Sequence, residues 1–112
     1  MRMRTLVSTA VVTAAAVSPL AIAAPAADAA SVSTWSRLAG CESGGRWHIN
    51  TGNGYYGGLQ ISPSTWRAYG GKRLARLPHR ATKLEQIRIG ERIRHGQGWG
   101  AWPSCSRRVG LR

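Results

Sequence analysis

The apolar positions of the chain predict a first helix that carries a carboxylate at its end. Trp35, Leu38 and Ala39 fall at i, i+3 and i+4, which is the spacing of one helical face. Glu42 lies seven residues after Trp35, so a helix places its side chain on that same face. The flanking signals of this helix are a capping Ser33 or Thr34 at its start and the pair Gly44-Gly45 at its end.

Two further helices and a turn-rich segment follow. The pair Asn53-Gly54 within residues 46–58 predicts a small hairpin or an extended loop. Ser62 before Pro63 predicts a short helix that ends near Tyr69. Thr82 and Glu85 have the spacing of a capping box, which predicts a long helix to about His95. On that helix Ile87 and Gly90 can face the core together, and Glu91 can turn inward or pair with Arg88 or Arg94.

Residues 1–30 have the layout of a secretory signal peptide. A short basic start precedes an uncharged run rich in Ala and Val, and small-residue cleavage options follow at Ala24-Pro25-Ala26 and Ala27-Asp28-Ala29. An uncleaved membrane anchor is the alternative, but the run is mostly alanine and contains Pro19, so it makes a poor permanent span. We therefore expect one exported domain over residues 31–112, outside the cell or at the wall, without stable membrane insertion.

Two cysteines, Cys41 and Cys105, lie at opposite ends of that domain. Export takes a protein to compartments where thiols oxidise, and a domain of this size gains much from a crosslink. If the two are bridged, they close a loop over most of the mature domain and hold the C-terminal arm beside Glu42. The three histidines, His48, His79 and His95, have no ligand spacing with the cysteines, so neither a zinc site nor any other cofactor is predicted.

The chain is strongly basic, with a net charge of +12. Removing residues 1–30 takes away Arg2, Arg4 and Asp28, which leaves 14 basic and 3 acidic residues, or +11. This charge attracts anionic polymers, which for an exported protein are wall or surface polymers. No pattern of a nucleic-acid-binding motif accompanies the charge, so no nucleic-acid partner is predicted.

Five Trp, three Tyr and no Phe are present. Trp and Tyr offer flat apolar faces with a polar group at the edge, which suits the C–H faces and hydroxyl rims of sugars. An aromatic groove with Gly walls and with Gln and Thr donors is therefore predicted to bind a glycan chain. About three of the five tryptophans are expected in the core instead.

Among the four acidic residues, Glu42 is distinguished by its predicted position at the end of a helix and on the same face as a tryptophan. Apolar surroundings and the negative end of a helix dipole both disfavour its anion and raise its pKa. A carboxylic acid that stays protonated near neutral pH can act as a general acid. The alternative is a solvated residue at a helix end.

These motifs together resemble the resuscitation-promoting factor domain of actinobacteria. The resemblance spans about Thr34 to Cys105 and rests on Trp-x-x-Leu-Ala-x-Cys-Glu-Ser-Gly-Gly-x-Trp-x-Ile-Asn-Thr-Gly-Asn-Gly-Tyr-Tyr-Gly-Gly-Leu-Gln, then Ser-Thr-Trp, Ala-Thr-x-x-x-Gln-Ile and Gly-Gln-Gly-Trp-Gly-Ala-Trp-Pro-x-Cys. It implies a small, mostly helical α+β fold of the lysozyme type. The implied activity is cleavage of the β-1,4 bond between N-acetylmuramic acid and N-acetylglucosamine in peptidoglycan, and the implied role is wall remodelling and revival of dormant cells.

The resemblance also assigns residue roles. Glu42 takes the place of the family's acid, and Cys41 and Cys105 take the place of its disulfide. Its glycan groove is lined at the positions of Tyr55, Thr65 and Gln97. The implied partner is a peptidoglycan strand, and we expect a monomer.

The chain departs from the family pattern in its charge. Residues 72–80 are more basic than the family's loop, and Arg88, Arg92 and His95 replace apolar residues. These basic residues are expected to influence groove polarity and to help retain the protein at anionic walls. A non-catalytic cationic protein that binds glycan or signals is the competing class, and a cationic antimicrobial protein is a weaker one, supported only by the charge.

Overall fold

The computed structural model describes residues 29–111. In this range the chain forms four α-helices, which we name α1 (Val32–Ser43), α2 (Pro63–Ala68), α3 (Lys83–Gln97) and α4 (Pro103–Arg108). Short 3₁₀ turns occupy Gly71–Arg73, Pro78–Arg80 and Trp99–Ala101. Among the described residues the β-structure is one isolated antiparallel bridge, between Tyr56 and Ile61. The predicted mostly helical fold is confirmed.

Helix α1 is organised as its apolar spacing predicts. Trp35, Leu38 and Ala39 are all fully buried. The cap prediction, Ser33 or Thr34, was wrong by two or three residues, because the Ser31 side chain accepts the Thr34 backbone N–H and the helix begins at Val32. Gly44 ends the helix in the left-handed conformation, with φ 68°, which glycine adopts without a steric penalty.

Helices α2 and α3 begin as predicted. The Ser62 hydroxyl accepts the Thr65 N–H, with Pro63 at the first helical position. The capping box of Thr82 and Glu85 is formed in both directions. Helix α3 extends to Gln97, two residues beyond the predicted end.

The core lies between α1, α3 and the segment that ends in Ile61. Its largest fully buried members include Trp35, Trp66, Leu59, Ile89 and Ile93. Three of the five tryptophans are buried, as expected: Trp35, Trp66 and Trp102. The rings of Trp35 and Trp102 meet edge to face, with centroids 5.4 Å apart, a favourable arrangement for an aromatic pair.

The loop between α1 and α2 is held by a buried side chain rather than by a β-ladder. Gln86 on α3 is fully buried, and its Oε1 accepts the Gly58 N–H at 3.0 Å. Its Nε2 donates to the carbonyl oxygens of Trp47 at 2.8 Å and of Ala81 at 3.0 Å. One amide therefore satisfies two backbone groups of the loop, which fixes the loop on the core.

The turn within this loop lies further along the chain than predicted. The Asn53 Oδ1 accepts the Tyr55 N–H at 3.0 Å, so the region around Asn53-Gly54 is a bend stabilised by a side chain and not the turn of a hairpin. The reversal instead occupies residues 57–60, between the bridge partners Tyr56 and Ile61.

The cysteines form the Cys41–Cys105 disulfide, which joins the last turn of α1 to α4. Arg37 on α1 reinforces this contact, because its Nη1 donates to the Val109 carbonyl at 2.8 Å. The bridge therefore holds the C-terminal arm against α1, on the residue next to Glu42.

Gly90 allows the close approach of α3 to the core, which a pair of alanine variants can test. A Cβ at Gly90 would lie 2.9 Å from Leu59 Cδ1 and 3.0 Å from Trp35 Cζ3, whereas one at Gly40 on α1 would meet nothing within 4 Å. Both changes bring the same gain in helix propensity. We expect the free energy of unfolding of Gly90→Ala to lie below that of Gly40→Ala by about 1–3 kcal/mol, the usual cost of overpacking. Urea titration of both variants measures this difference in the free energy of unfolding. Equal free energies for the two variants would contradict the packing argument.

The predicted signal peptide, residues 1–30, falls almost wholly outside the described residues. Among those described, no helix has the length and apolar character needed to cross a membrane.

Candidate active site

An open groove runs between the loop, α2 and the end of α3. One part, of about 90 Å³, is lined by Tyr55, Gln60, Ile61, Ser62, Thr65, Ile93, Gln97, Ala101 and Trp102. The adjoining part, of about 250 Å³, is lined by Glu42, Tyr55, Gln60, Ala101, Trp102 and Pro103. Because the two parts share four residues, they form one continuous depression with Glu42 in one part.

Glu42 reaches the groove because α1 places it one residue before the helix end. Its side chain is half-buried, and burial raises the pKa of its carboxyl above the ordinary glutamate value. Within residues 29–111 this carboxyl forms no hydrogen bond and no ion pair that would stabilise the anion. The predicted direction of the shift is confirmed, and desolvation is its cause.

The other two glutamates of the described range are engaged elsewhere. Glu85 closes the capping box of α3. Glu91 accepts the Trp35 indole N–H at 2.8 Å and the Arg94 guanidinium at 2.8 Å. Both expectations for Glu91 are therefore met, since it turns towards the core and pairs with Arg94. Of these three carboxyls, Glu42 alone lines the groove.

Trp102 supplies a fixed aromatic wall beside Glu42. The residue is only 4% exposed, and its indole N–H donates to the Leu59 carbonyl at 2.9 Å. Pro103 follows at the start of α4 and lines the same part of the groove. The Cys41–Cys105 disulfide links α1, which carries Glu42, to α4, which carries Pro103. It therefore holds together the two helices that border the part of the groove containing Glu42.

The three residues expected to line a glycan groove all do line it. Tyr55 borders both parts and is 50% exposed, so its ring face is available to a ligand. The Thr65 Oγ1 accepts the Ser62 hydroxyl at 3.0 Å. The Gln97 Nε2 donates to the Tyr69 hydroxyl at 3.3 Å. All three residues thus border the groove, and their binding of glycan stays a prediction.

Gln60 was not among the predicted residues, although it borders both parts of the groove. It adopts a positive φ of 53°, uncommon for a residue other than glycine. Its side chain is held by Gly57, whose carbonyl accepts Nε2 at 3.1 Å, and by Asn53, whose Nδ2 donates to Oε1 at 3.2 Å. No sequence pattern announces this conformation, because asparagine or glycine is the usual residue there. Trp102 was also missed as a groove residue, because no local sequence pattern distinguishes it from the other four tryptophans.

No group of three or more His, Cys, Asp or Glu side chains within the described range is placed to hold a metal ion.

Replacing Glu42 by Gln should raise stability at neutral pH. Because burial raises the pKa of Glu42, the folded protein binds that proton more tightly than the unfolded chain does. The resulting stabilisation is complete below the ordinary glutamate pKa of about 4.3 and is lost as the pH rises through the folded-state pKa. Gln stays neutral, so Glu42→Gln should melt at a higher temperature than the wild type at neutral pH, with the gap closing in acid. Thermal unfolding at both pH values measures the gap, and a gap independent of pH would contradict this reading.

The fold and the groove define a transglycosylase-like protein. The sequence model of the transglycosylase-like domain family matches residues 29–105, and the chain belongs to that family. The resemblance to resuscitation-promoting factors is likewise confirmed. The chain is 61% identical over 90 residues to resuscitation-promoting factor Rpf1 of Corynebacterium glutamicum, covering 80% of this chain and 47% of the relative.

Two further relatives are also resuscitation-promoting factors. Resuscitation-promoting factor Rpf of Micrococcus luteus is 56% identical over 85 residues, which is 76% of this chain and 37% of the relative. Resuscitation-promoting factor RpfB of Mycolicibacterium smegmatis is 54% identical over 79 residues, which is 70% of this chain and 22% of the relative. The chain therefore spans less than half the length of each of these three relatives.

Proposed function

We propose that this protein is an exported enzyme that cleaves peptidoglycan at the β-1,4 bond between N-acetylmuramic acid and N-acetylglucosamine. The observation that carries the proposal is the Glu42 carboxyl, which lines an open groove, has a raised pKa and has no partner among the described residues. Membership of the transglycosylase-like family supports a lytic role at the cell wall. The relatives' shared name supports a part in the resuscitation of cells.

Cleavage of a glycoside usually needs two carboxylates that flank the bond. Here the groove offers one, so the same group has to act twice. Protonated Glu42 gives its proton to the bridging oxygen as the bond from C1 of N-acetylmuramic acid to that oxygen breaks. The N-acetylglucosamine then departs as an alcohol, and an oxocarbenium-like sugar and a Glu42 carboxylate remain.

The sugar's own C6 hydroxyl can complete the reaction. Its oxygen bonds to C1, its proton passes to Glu42, and a 1,6-anhydro product leaves with the acid restored. A water molecule in the same place would give a reducing sugar, with the proton again returned to Glu42. In both routes the proton count balances without a second protein carboxyl.

The groove lining suits an extended sugar chain. Tyr55 offers an exposed ring face, Trp102 forms a rigid wall, and Gln97 presents an amide. Sugars combine apolar faces with hydroxyl rims, so such a mixture of rings and amides is the appropriate surface. Export is supported by the oxidised Cys41–Cys105 pair, since disulfides persist in oxidising compartments.

Digestion of purified peptidoglycan in water labelled with heavy oxygen tests the proposal. Mass spectrometry of the released fragments should show cleaved disaccharide units. Anhydro ends carry no label, whereas hydrolysis places one labelled oxygen at each new reducing end, so the two routes are separated in one experiment. Binding of the protein to peptidoglycan without release of fragments would support the non-catalytic class instead.

A further inference from the structure

A second concave surface lies on the other side of α2 from the groove. It encloses about 260 Å³ and is lined by Pro63, Arg67, Lys72, Arg76 and Leu77. Ser62 and Thr65 border the groove, whereas Pro63 and Arg67, four residues apart on α2, border this second surface. A ligand held here would therefore leave the groove open. We call this surface the basic pocket.

The basic pocket is lined by positively charged side chains and by no acidic side chain. Three of its five lining residues are cationic, and the sequence contains no acidic residue between Glu42 and Glu85. Within residues 29–111, the side chains of Arg67, Lys72 and Arg76 form no hydrogen bond or ion pair with the protein. Other arginines do donate to protein groups: Arg37, Arg46, Arg92 and Arg94.

The backbone that carries these cations is fixed. The Trp66 indole N–H donates to the Ala75 carbonyl at 2.8 Å, which ties α2 to the residue before Arg76. The N–H groups of Leu74 and Ala75 donate to the Gly71 carbonyl at 2.8 Å and 3.1 Å. Arg67 thus projects from α2, and Lys72 and Arg76 project from the loop that the buried Trp66 ties to α2, so the backbone positions of the three cations around the pocket are fixed.

We propose that the basic pocket binds a phosphodiester group of an anionic polymer of the cell surface. Two guanidinium groups and one ammonium group surrounding a single cavity match the several oxygens of a phosphate, which guanidinium binds in a two-pronged manner. A phosphodiester, like a carboxylate, carries one negative charge on two free oxygens, but its phosphorus is tetrahedral and also bears two ester oxygens. Its four oxygens therefore point in four directions, so more than one cation of the pocket can contact the same group, whereas the planar carboxylate is satisfied by one arginine. The apolar side chains of Pro63 and Leu77 give the polymer backbone a surface to contact.

The biological sense of the site rests on export, which is part of the proposed function, but its binding chemistry does not depend on cleavage. A catalytic domain held at a phosphate-rich polymer would stay close to the wall while the groove acts on glycan. The net charge of the chain suggests that the protein is retained at the wall. The basic pocket would be the part of its surface that makes this attachment.

Two triple variants of equal charge test the site. The pocket variant is Arg67→Gln, Lys72→Gln and Arg76→Gln. The control variant is Arg88→Gln, Arg107→Gln and Arg108→Gln, which removes the same charge from exposed positions that do not line this pocket. All six side chains are exposed, so both variants should keep the wild-type melting temperature.

Binding of a defined glycerol-phosphate oligomer is measured by calorimetry, with polyglutamate of matched charge and inorganic phosphate as comparison ligands. We expect the pocket variant to lose at least about tenfold in affinity for the oligomer, the equivalent of one charge-assisted hydrogen bond, and the control variant to lose clearly less. The wild type should prefer the oligomer to polyglutamate and should bind inorganic phosphate more weakly than the oligomer.

Equal losses in the two variants would overturn the proposal, because net charge alone would then explain binding. Equal wild-type affinity for polyglutamate would overturn the choice of phosphate. Cleavage of peptidoglycan stripped of anionic polymer is measured in parallel and should be unchanged in the pocket variant. Intact oligomer binding without any cleavage by the wild type would refute the proposed function while leaving the basic pocket supported.

Discussion

Glu42→Gln is expected to slow the release of fragments from purified peptidoglycan by about 10²–10⁴-fold, the usual contribution of a positioned general acid or base. The amide keeps the shape of the side chain but has no proton to give to the bridging oxygen. Because the other two described glutamates do not line the groove, no neighbouring carboxyl takes over. Turbidity of a peptidoglycan suspension gives the rate, and circular dichroism verifies the fold.

Glu85→Gln is the matched control. It is the same chemical change on the same domain, and glutamine can keep the capping box because its side chain also reaches back to the N-cap N–H. This variant should retain wild-type lysis. Substantial lysis by Glu42→Gln would end the enzymatic proposal, and loss of lysis in a folded Glu91→Gln would show that a second carboxyl takes part.

The double variant Cys41→Ser, Cys105→Ser is expected to lose about 4 kcal/mol of unfolding free energy. The bridge joins residues separated by 64 positions, and the loop-entropy relation gives about this value for such a loop. Native proteins have total stabilities of about 5–15 kcal/mol, so this loss is at least about a quarter of the total. Urea titration of the oxidised wild type and the variant measures the difference.

Reductant provides the control for that experiment. Dithiothreitol should lower the stability of the wild type to that of the double variant and leave the variant unchanged. Lysis should decline along with stability, because the bridge fastens Glu42 on α1 and Pro103 on α4. A variant as stable as the oxidised wild type would show that α4 is held sufficiently by other contacts, such as Arg37 to Val109.

Local signals carried most of what the sequence predicted. The starts of α2 and α3 were predicted because Ser62-Pro63 and the Thr82/Glu85 box act within one helical turn. The buried face of α1 followed from helical spacing alone, and the same spacing predicted that Glu42 shares the face of Trp35. The start of α1 was wrong because Ser31, Ser33 and Thr34 are all good caps, and spacing does not choose among them.

Contacts between residues far apart in the sequence could not be predicted from local signals. The bond from Trp35 to Glu91 joins residues 56 positions apart, and Gln86 reaches across 39 positions to Trp47. A glutamine on a helix is typical of a solvent-exposed face, so nothing in the local pattern shows that Gln86 is buried. Of the two alternatives predicted around Asn53-Gly54, a small hairpin or an extended loop, the structure has a loop, and its chain reversal lies at residues 57–60.

The attachment through Gln86 has a consequence for how this groove can diversify. The amide grips the loop only at Trp47 and Gly58, and between these points Gly57 donates to the Ile49 carbonyl at 2.9 Å. Residues 50–55 lie between these anchors and are all exposed, so their sequence and length are under weak constraint from the interior. We expect that a different segment grafted between these anchors would reshape ligand preference while leaving the supporting scaffold as it is.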